Sequence, residues 1–378
     1  MKKNFKRLLT LCLAIAMVAS LSVGAFAASS SNVKQYKNYV VIGDSIPSGY
    51  GLDTVNAPDY ANSAVSHGEL VVASYPHIVA RDVGAVSTTV LARCGFRTVE
   101  TMRVLDPTYK YDSMSDTFLS MLSQVGTTGT AGDTIPNMQA AAATAIKNAD
   151  LVTINLGSND TMTYALTKLS AFISARVSAT NPLLAEAKAD LKEFGMLGEA
   201  LTDLMTLAET LQITNEAIAV LSASMAEGCV SFKLNFASII SHIETVNPKA
   251  KIVVVGMYNP FKDLKLTDAS MLKVGKLADQ FVTLLNTYMS TTCLLSSTYT
   301  YVDVMGTQVY TFPALTDPTF SKVFIKNVHP DLVGHQSIAN AIINKLPTAS
   351  ESSYSCLITN SLRNSSTLLR GVASLGLF

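Results

Sequence analysis

The 378-residue chain has little charge and no surplus of either sign: 28 Lys and Arg balance 28 Asp and Glu, together 15% of the residues. Four cations, Lys2, Lys3, Lys6 and Arg7, crowd the N-terminus, so the remainder counts 28 − 4 = 24 basic against 28 acidic. With no basic cluster elsewhere there is no electrostatic footprint for nucleic acid, and no such partner is expected. Beyond the N-terminal stretch no segment reaches the roughly 18 consecutive apolar residues that a spanning helix needs. A His-Glu-x-x-His pair is missing, and the 5 cysteines fall at spacings that fit no zinc pattern. No metal and no organic cofactor is therefore expected.

What the chain does have is apolar mass. Hydrophobic residues make up 48% of it, enough for a sizeable core. One large domain with an elaborated insertion is the natural reading of the length. The four N-terminal cations precede an apolar run from Leu8 to about Val23, and Ala25-Phe26-Ala27 places small residues where a signal peptidase reads. Residues 1–27 are thus expected to be a secretory signal peptide, leaving a secreted monomer with no stable membrane insertion. Cys94, Cys229, Cys293 and Cys356 remain after cleavage, an even number with three possible pairings, or free buried thiols.

Tyr39-Val-Val-Ile42 is a strand-type run that stops at Gly43-Asp44-Ser45, delivering a hydroxyl at the C-terminal edge where open α/β sheets bind ligands. Asp53 to Gly68 reads as a loop over that edge, followed by a helix from Glu69 to about Val83. A second strand, Ser87–Ala92, ends in Arg93-Cys94-Gly95-Phe96-Arg97 and leads into a helix over Thr98–Leu105. After a loop-rich span to Asn137 and an Ala-rich helix, a third strand over Asp150–Leu156 ends in Gly157-Ser158-Asn159-Asp160. From Thr161 to about Val246 the period is helical, and its Met and Leu stripes read as core or as a lipid-facing lid. Strands follow at Lys251–Gly256 and Tyr299–Val304, separated by a helix from Ala269. His329-Pro330 then opens a last helix. Strands alternating with helices imply a parallel sheet covered on both faces.

Gly43-Asp44-Ser45, a loop glycine at Gly95, Gly157-Ser158-Asn159-Asp160, and His329-Pro330 with Gly334-His335 stand in order at strand ends. Together they resemble the SGNH or GDSL hydrolase family from about Tyr39 to Leu346. The resemblance implies a three-layer α/β/α sandwich with a five-stranded parallel sheet of flavodoxin-like order. The hydrolase domain is expected over residues 28–348, with a helical insertion at about 165–245 and a C-terminal tail at 349–378. It also implies an ester-hydrolysing site with Ser45 as nucleophile and His329 as general base. The oxyanion hole would be formed by the backbone N–H groups of Ser45 and Gly95 and the Asn159 side chain, with Asp44 and Asp160 in support.

One position departs from the family. The aspartate usual three residues before the histidine, which holds the imidazole, is Lys326 here, and a lysine cannot accept an N–H. A carbonyl between Val323 and Asn327, or Asp317 or Asp303, could substitute. Otherwise the site works as a Ser-His dyad, or is degraded and the protein is a glycan- or lipid-binding module. His335 reads as a helix residue packed near the loop, and Arg93 and Arg97 as pocket or ion-pair residues. A Gly-x-Ser-x-Gly elbow, which would point to an unrelated serine-hydrolase fold, is missing. Small-molecule, polysaccharide or lipid esters all fit, with acetylated or short acyl substrates favoured by the extracellular address.

Overall fold

The computed structural model describes residues 34–50, 52, 70–111, 115, 135–191, 197–260, 269–305 and 329–347. The proposed signal segment, the loop over 53–68, Lys326 with its neighbours, Asp317, Cys356 and the C-terminal tail lie outside them. Contacts divide the chain into two units. In the smaller one the described residues are joined by the Lys34 N–H donating to the Pro347 carbonyl at 3.1 Å.

The larger unit, Tyr36–Lys345, carries the fold. Its strands are β1 (Asn38–Gly43), β2 (Ser87–Ala92), β3 (Leu151–Asn155), β4 (Lys251–Val255) and β5 (Thr300–Val302). All neighbours are parallel and the order is β2-β1-β3-β4-β5. This is the doubly wound order 2-1-3-4-5, which reverses between β1 and β3 and opens a crevice at their C-terminal ends. β1, β3 and β4 are buried almost throughout, as near-continuous Val/Ile/Leu runs in a two-faced sheet must be.

The helices, in chain order, are α1 (Ser45–Ser48), α2 (Tyr75–Asp82), α3 (Thr98–Leu105), α4 (Ile135–Asn148), α5 (Tyr164–Ser174), α6 (Pro182–Asp190), α7 (Leu197–Thr210), α8 (Thr214–Val246), α9 (Ala269–Ser296) and α10 (Leu332–Ile343). α2 starts later than the period from Glu69 suggests. Ala73 takes φ 67°, the Ser74 hydroxyl accepts the His77 N–H at 3.4 Å, and Pro76 occupies the first turn, so the helix is set at Tyr75.

The region after Thr161 is several helices, not one. Leu166, Leu169, Leu184, Leu201, Leu204 and Met225 close a cluster of their own among α5 to α9. α8 is long and apolar enough to cross a bilayer by length and composition. Its inner face, Cys229, Phe232, Phe236, Ile239 and Ile243, instead joins β1, β3 and β4 in the central core. The Phe236 ring lies 5.2 Å from Phe232 and 5.8 Å from Tyr299.

Candidate active site

Register places the site. Gly43 pairs with Ala92 on one side and with Asn155 on the other, so β1, β2 and β3 end level. Ser45, Gly95 and Asn159 each follow these ends by a few residues and therefore share one edge of the sheet. At Gly43 an added Cβ would lie 2.4 Å from the Asn155 carbonyl oxygen and 2.4 Å from Pro47 Cγ, so only glycine lets the chain fold back over β3 here.

Ser45 then begins the one-turn α1. The Asp44 carboxylate caps it, Oδ1 accepting the Ile46 N–H at 3.0 Å, and the Ser45 carbonyl accepts the Ser48 hydroxyl at 2.9 Å and the Tyr50 N–H at 3.1 Å. The main chain of the nucleophile candidate is thus fixed on both sides.

His329 meets it. Its Nε2 lies 2.7 Å from Ser45 Oγ, and its ring centre is 4.6 Å from that of Tyr50. Burial pushes the imidazole down to about 3, with nearby His335 adding to the shift, so it stands neutral with a lone pair to accept a proton.

Gly95 occupies the third position of a turn in which the Phe96 N–H donates to the Arg93 carbonyl at 3.1 Å, and its φ of 77° is the left-handed value that this position needs. The Arg93 N–H donates to the Gly43 carbonyl at 3.1 Å, which ties this turn to the Ser45 strand.

Asn159 opens a π-helical turn, Asn159–Thr163. Such single wide turns recur at functional sites because they re-aim a side chain. The Asn159 Nδ2 donates to the Phe96 carbonyl at 3.1 Å, and its Oδ1 accepts the Thr163 hydroxyl at 2.7 Å. Asn159 thereby joins the Gly95 turn to the β3 edge. Next to it Asp160 receives the Thr98 backbone N–H at 3.0 Å and the Thr98 hydroxyl, holding the start of α3. Burial raises Asp160 to about 7 against those bonds and the positive Arg97, and raises Asp44 to about 7 as well.

The remaining candidates fall into place around this centre. Arg97 pairs with Glu100, bonding through Nε at 3.0 Å and Nη2 at 2.7 Å. His335 is buried on α10 and its Nδ1 accepts the Tyr75 N–H at 3.1 Å, so it packs α10 on α2. Asp303 is exposed and its Oδ1 accepts the Met305 N–H at 2.9 Å. Cys94, Cys229 and Cys293 are free thiols. Among the described residues no group of His, Cys, Asp or Glu could hold a metal ion.

A cleft open to solvent adjoins Ser45, Asn159 and His329, walled by Met162, Met225, Met257, Tyr258, Phe281 and Val282. Sequence reasoning missed Thr98 and Thr163, the two hydroxyls that orient Asp160 and Asn159, and most of the cavity wall. For Thr163 a signal existed: it stands four residues after Asn159, on one helical face.

The model of the GDSL-like lipase/acylhydrolase family matches residues 39–342. The chain belongs to that family. It is a carboxylic ester hydrolase with the family's α/β fold. No curated protein matches this GDSL hydrolase. Among solved structures it is similar to the extracellular lipase of Streptomyces rimosus (15% identity, TM-score 0.45, covering 82% of this chain and 99% of the other). Phospholipase A1 of Streptomyces albidoflavus is similar at 16% identity, TM-score 0.46 and the same coverages. A family two carbohydrate esterase of Clostridium thermocellum is similar at 15% identity and TM-score 0.34, covering 82% of this chain and 64% of the other.

Proposed function

We propose that this GDSL hydrolase is a secreted serine esterase that cleaves carboxylic esters through an acyl-enzyme on Ser45. The observation that carries the reading is the 2.7 Å contact between Ser45 Oγ and the neutral His329 Nε2. Serine needs an adjacent base because its own pKa leaves almost no alkoxide at neutral pH. Ser45 Oγ attacks the ester carbon as its proton passes to His329 Nε2. The carbonyl oxygen becomes an oxyanion facing the Asn159 amide and the Ser45 and Gly95 N–H groups. Collapse of this intermediate expels the alcohol, which takes the proton from His329. Water, deprotonated by the same ring, then releases the acid. Secretion follows from the N-terminal segment that reads as a signal peptide.

The test is labelling with a fluorophosphonate. Stoichiometric modification of the mature protein, abolished in Ser45→Ala, is expected, together with loss of p-nitrophenyl ester turnover in Ser45→Ala and His329→Ala. A protein that neither labels nor turns over any ester is a binding module on a hydrolase fold, the reading that Lys326 raises.

A further inference from the structure

Resting on the esterase reading, we propose that Tyr75 is a positioning residue for the nucleophile: one internal water joins its hydroxyl to the second carboxyl oxygen of Asp44, and this bridge fixes the Ser45 turn against the helix that follows His329.

Tyr75 opens α2 and is completely buried. Its backbone N–H donates to His335 Nδ1 at 3.1 Å, and its ring stacks on that of His335 with centres 6.3 Å apart. His335 lies on α10, the helix that follows the general base. The one-turn α1, which begins at Ser45, ends against the same stretch of chain. A Cβ added at Gly49 would lie 3.0 Å from Ser74 Cβ and 2.9 Å from Val71 Cβ. The start of α2 therefore touches both the nucleophile's turn and the histidine's helix.

The side chains there leave one demand unmet. Asp44 Oδ1 accepts the Ile46 N–H at 3.0 Å, but its buried Oδ2 has no hydrogen-bond partner among the described residues, and neither has the Tyr75 hydroxyl. Burial raises the Tyr75 phenol well above its ordinary value, and Tyr39 and Asp44 lie close enough to add to the rise. The Thr153 hydroxyl, near enough to oppose that rise, is already bonded to the Tyr39 hydroxyl at 2.7 Å. Buried polar groups seldom stay unpaired. A hydroxyl and a carboxyl oxygen that miss direct contact are what an internal water joins, because it accepts from one and donates to the other. The hydroxyl also suits both charge states of Asp44, since it can either donate to that water or accept from it.

The consequence is geometric. With the Ile46 bond alone the carboxyl can pivot about Oδ1, whereas a second bond locks it and with it the residue before Ser45. The 2.7 Å contact between Ser45 Oγ and His329 Nε2 is then held from both sides through α2. A displacement of about 1 Å in such a pair lowers a rate by roughly 10²-fold.

Tyr75→Phe keeps the ring and the backbone N–H and removes only the hydroxyl. It is expected to lower kcat on a p-nitrophenyl ester by about tenfold with KM nearly constant, and to slow fluorophosphonate labelling in step. Tyr39→Phe removes a hydroxyl from the same buried layer and is expected to change kcat by less than about twofold. Asp44→Ala removes the other end of the bridge, so adding Tyr75→Phe to it is expected to cost less than about twofold more. A crystal structure is expected to show a water within hydrogen-bond distance of both Asp44 Oδ2 and the Tyr75 hydroxyl, which keeps the proposal testable if a variant fails to fold. A structure with no water there overturns it. So does a Tyr75→Phe protein that melts earlier with kcat and KM unchanged, a Tyr39→Phe loss as large as that of Tyr75→Phe, or a Tyr75→Phe loss undiminished in Asp44→Ala. Turnover that survives Ser45→Ala strikes the esterase reading instead, and the crystal structure alone then decides the bridge.

Discussion

Replacing Asn159 with alanine separates catalysis from architecture at this site. The two amide bonds, Nδ2 to the Phe96 carbonyl at 3.1 Å and Oδ1 from the Thr163 hydroxyl at 2.7 Å, fix which end of the amide is nitrogen. An amide nitrogen carries two hydrogens, and the Phe96 carbonyl takes one. The other is left for an oxygen in the cavity that Asn159 borders. Losing one such donor raises a barrier by about 2.7–4 kcal/mol, or 10²–10³ in kcat. Truncation also strands the Phe96 carbonyl and the Thr163 hydroxyl, at about 1–3 kcal/mol for each buried group, so the fold weakens too. Thr163→Val is the matching control, because it removes the Oδ1 anchor and keeps the donor. Steady-state kinetics on a p-nitrophenyl ester and thermal unfolding of both variants give the comparison. Asn159→Ala is expected to lose 10²–10³ in kcat with KM nearly constant, and Thr163→Val less than about tenfold. Equal kcat losses at equal losses of melting temperature would refute the reasoning, and Asn159 would then only brace the turn.

Three further perturbations read other parts of the site. Because burial holds His329 at about 3, kcat/KM is expected to stay level from pH 8 down to about pH 5, and an acid limb centred near the ordinary histidine value would contradict this. Burial raises Asp44 and Asp160 to about 7, above their unfolded 3.8, so the stability they contribute is complete below that value and is lost as pH rises through 7. The depressed His329 and His335 act at the other end, their contribution present above the unfolded 6.5 and lost as pH falls toward 3 and 4. Between about pH 4 and 6.5 the two effects oppose each other, so melting temperature should change little there, whereas in Asp44→Asn, which removes part of the carboxyl side, it should rise with pH over that window. In Gly228→Ala the new Cβ would lie 2.0 Å from the Asp160 carbonyl oxygen, so α8 must back away from the π turn. A loss of about 1–3 kcal/mol with reduced kcat is expected, and unchanged unfolding and kinetics would show that the turn yields freely. Lys326→Asp restores the carboxylate usual in the family, and a rise in kcat is expected if the imidazole lacks a strong acceptor; an unchanged kcat would mean that another group already holds it.

The alternation of buried parallel strands with helices is legible in the sequence as apolar runs that stop at glycine-bearing blocks, whereas the strand order is implied only by the family resemblance those blocks carry. Ser45, Asn159 and His329 follow from those blocks and from chain order. The start of α2 is not legible in the same way, since apolar spacing continues back to Leu70 while a single left-handed residue, Ala73, decides where the helix begins. Thr98 acts on Asp160, 62 residues further along the chain, a pairing that no local pattern specifies. The methionine wall is hidden for a different reason. Periodicity shows that Met225 faces inward, and it does, at 4% exposure. A face that packs in the core and also borders a cavity has the same period as one that only packs.

The charge state of the site ties its chemistry to the cavity. At neutral pH both buried histidines, His329 and His335, are neutral. In the proposed mechanism the burial that keeps His329 neutral also opposes the imidazolium it would become. What offsets that cost is the oxyanion, which forms in the same step a few ångströms away, and the attraction between the two grows as the local dielectric falls. Water in the cleft weakens that attraction, and an acyl chain that reached Met225 and Phe281 would remove the water. On this argument a longer acyl chain raises kcat as well as lowering KM. Gains confined to KM would show that the chain only anchors the substrate and that the histidine has another counter-charge.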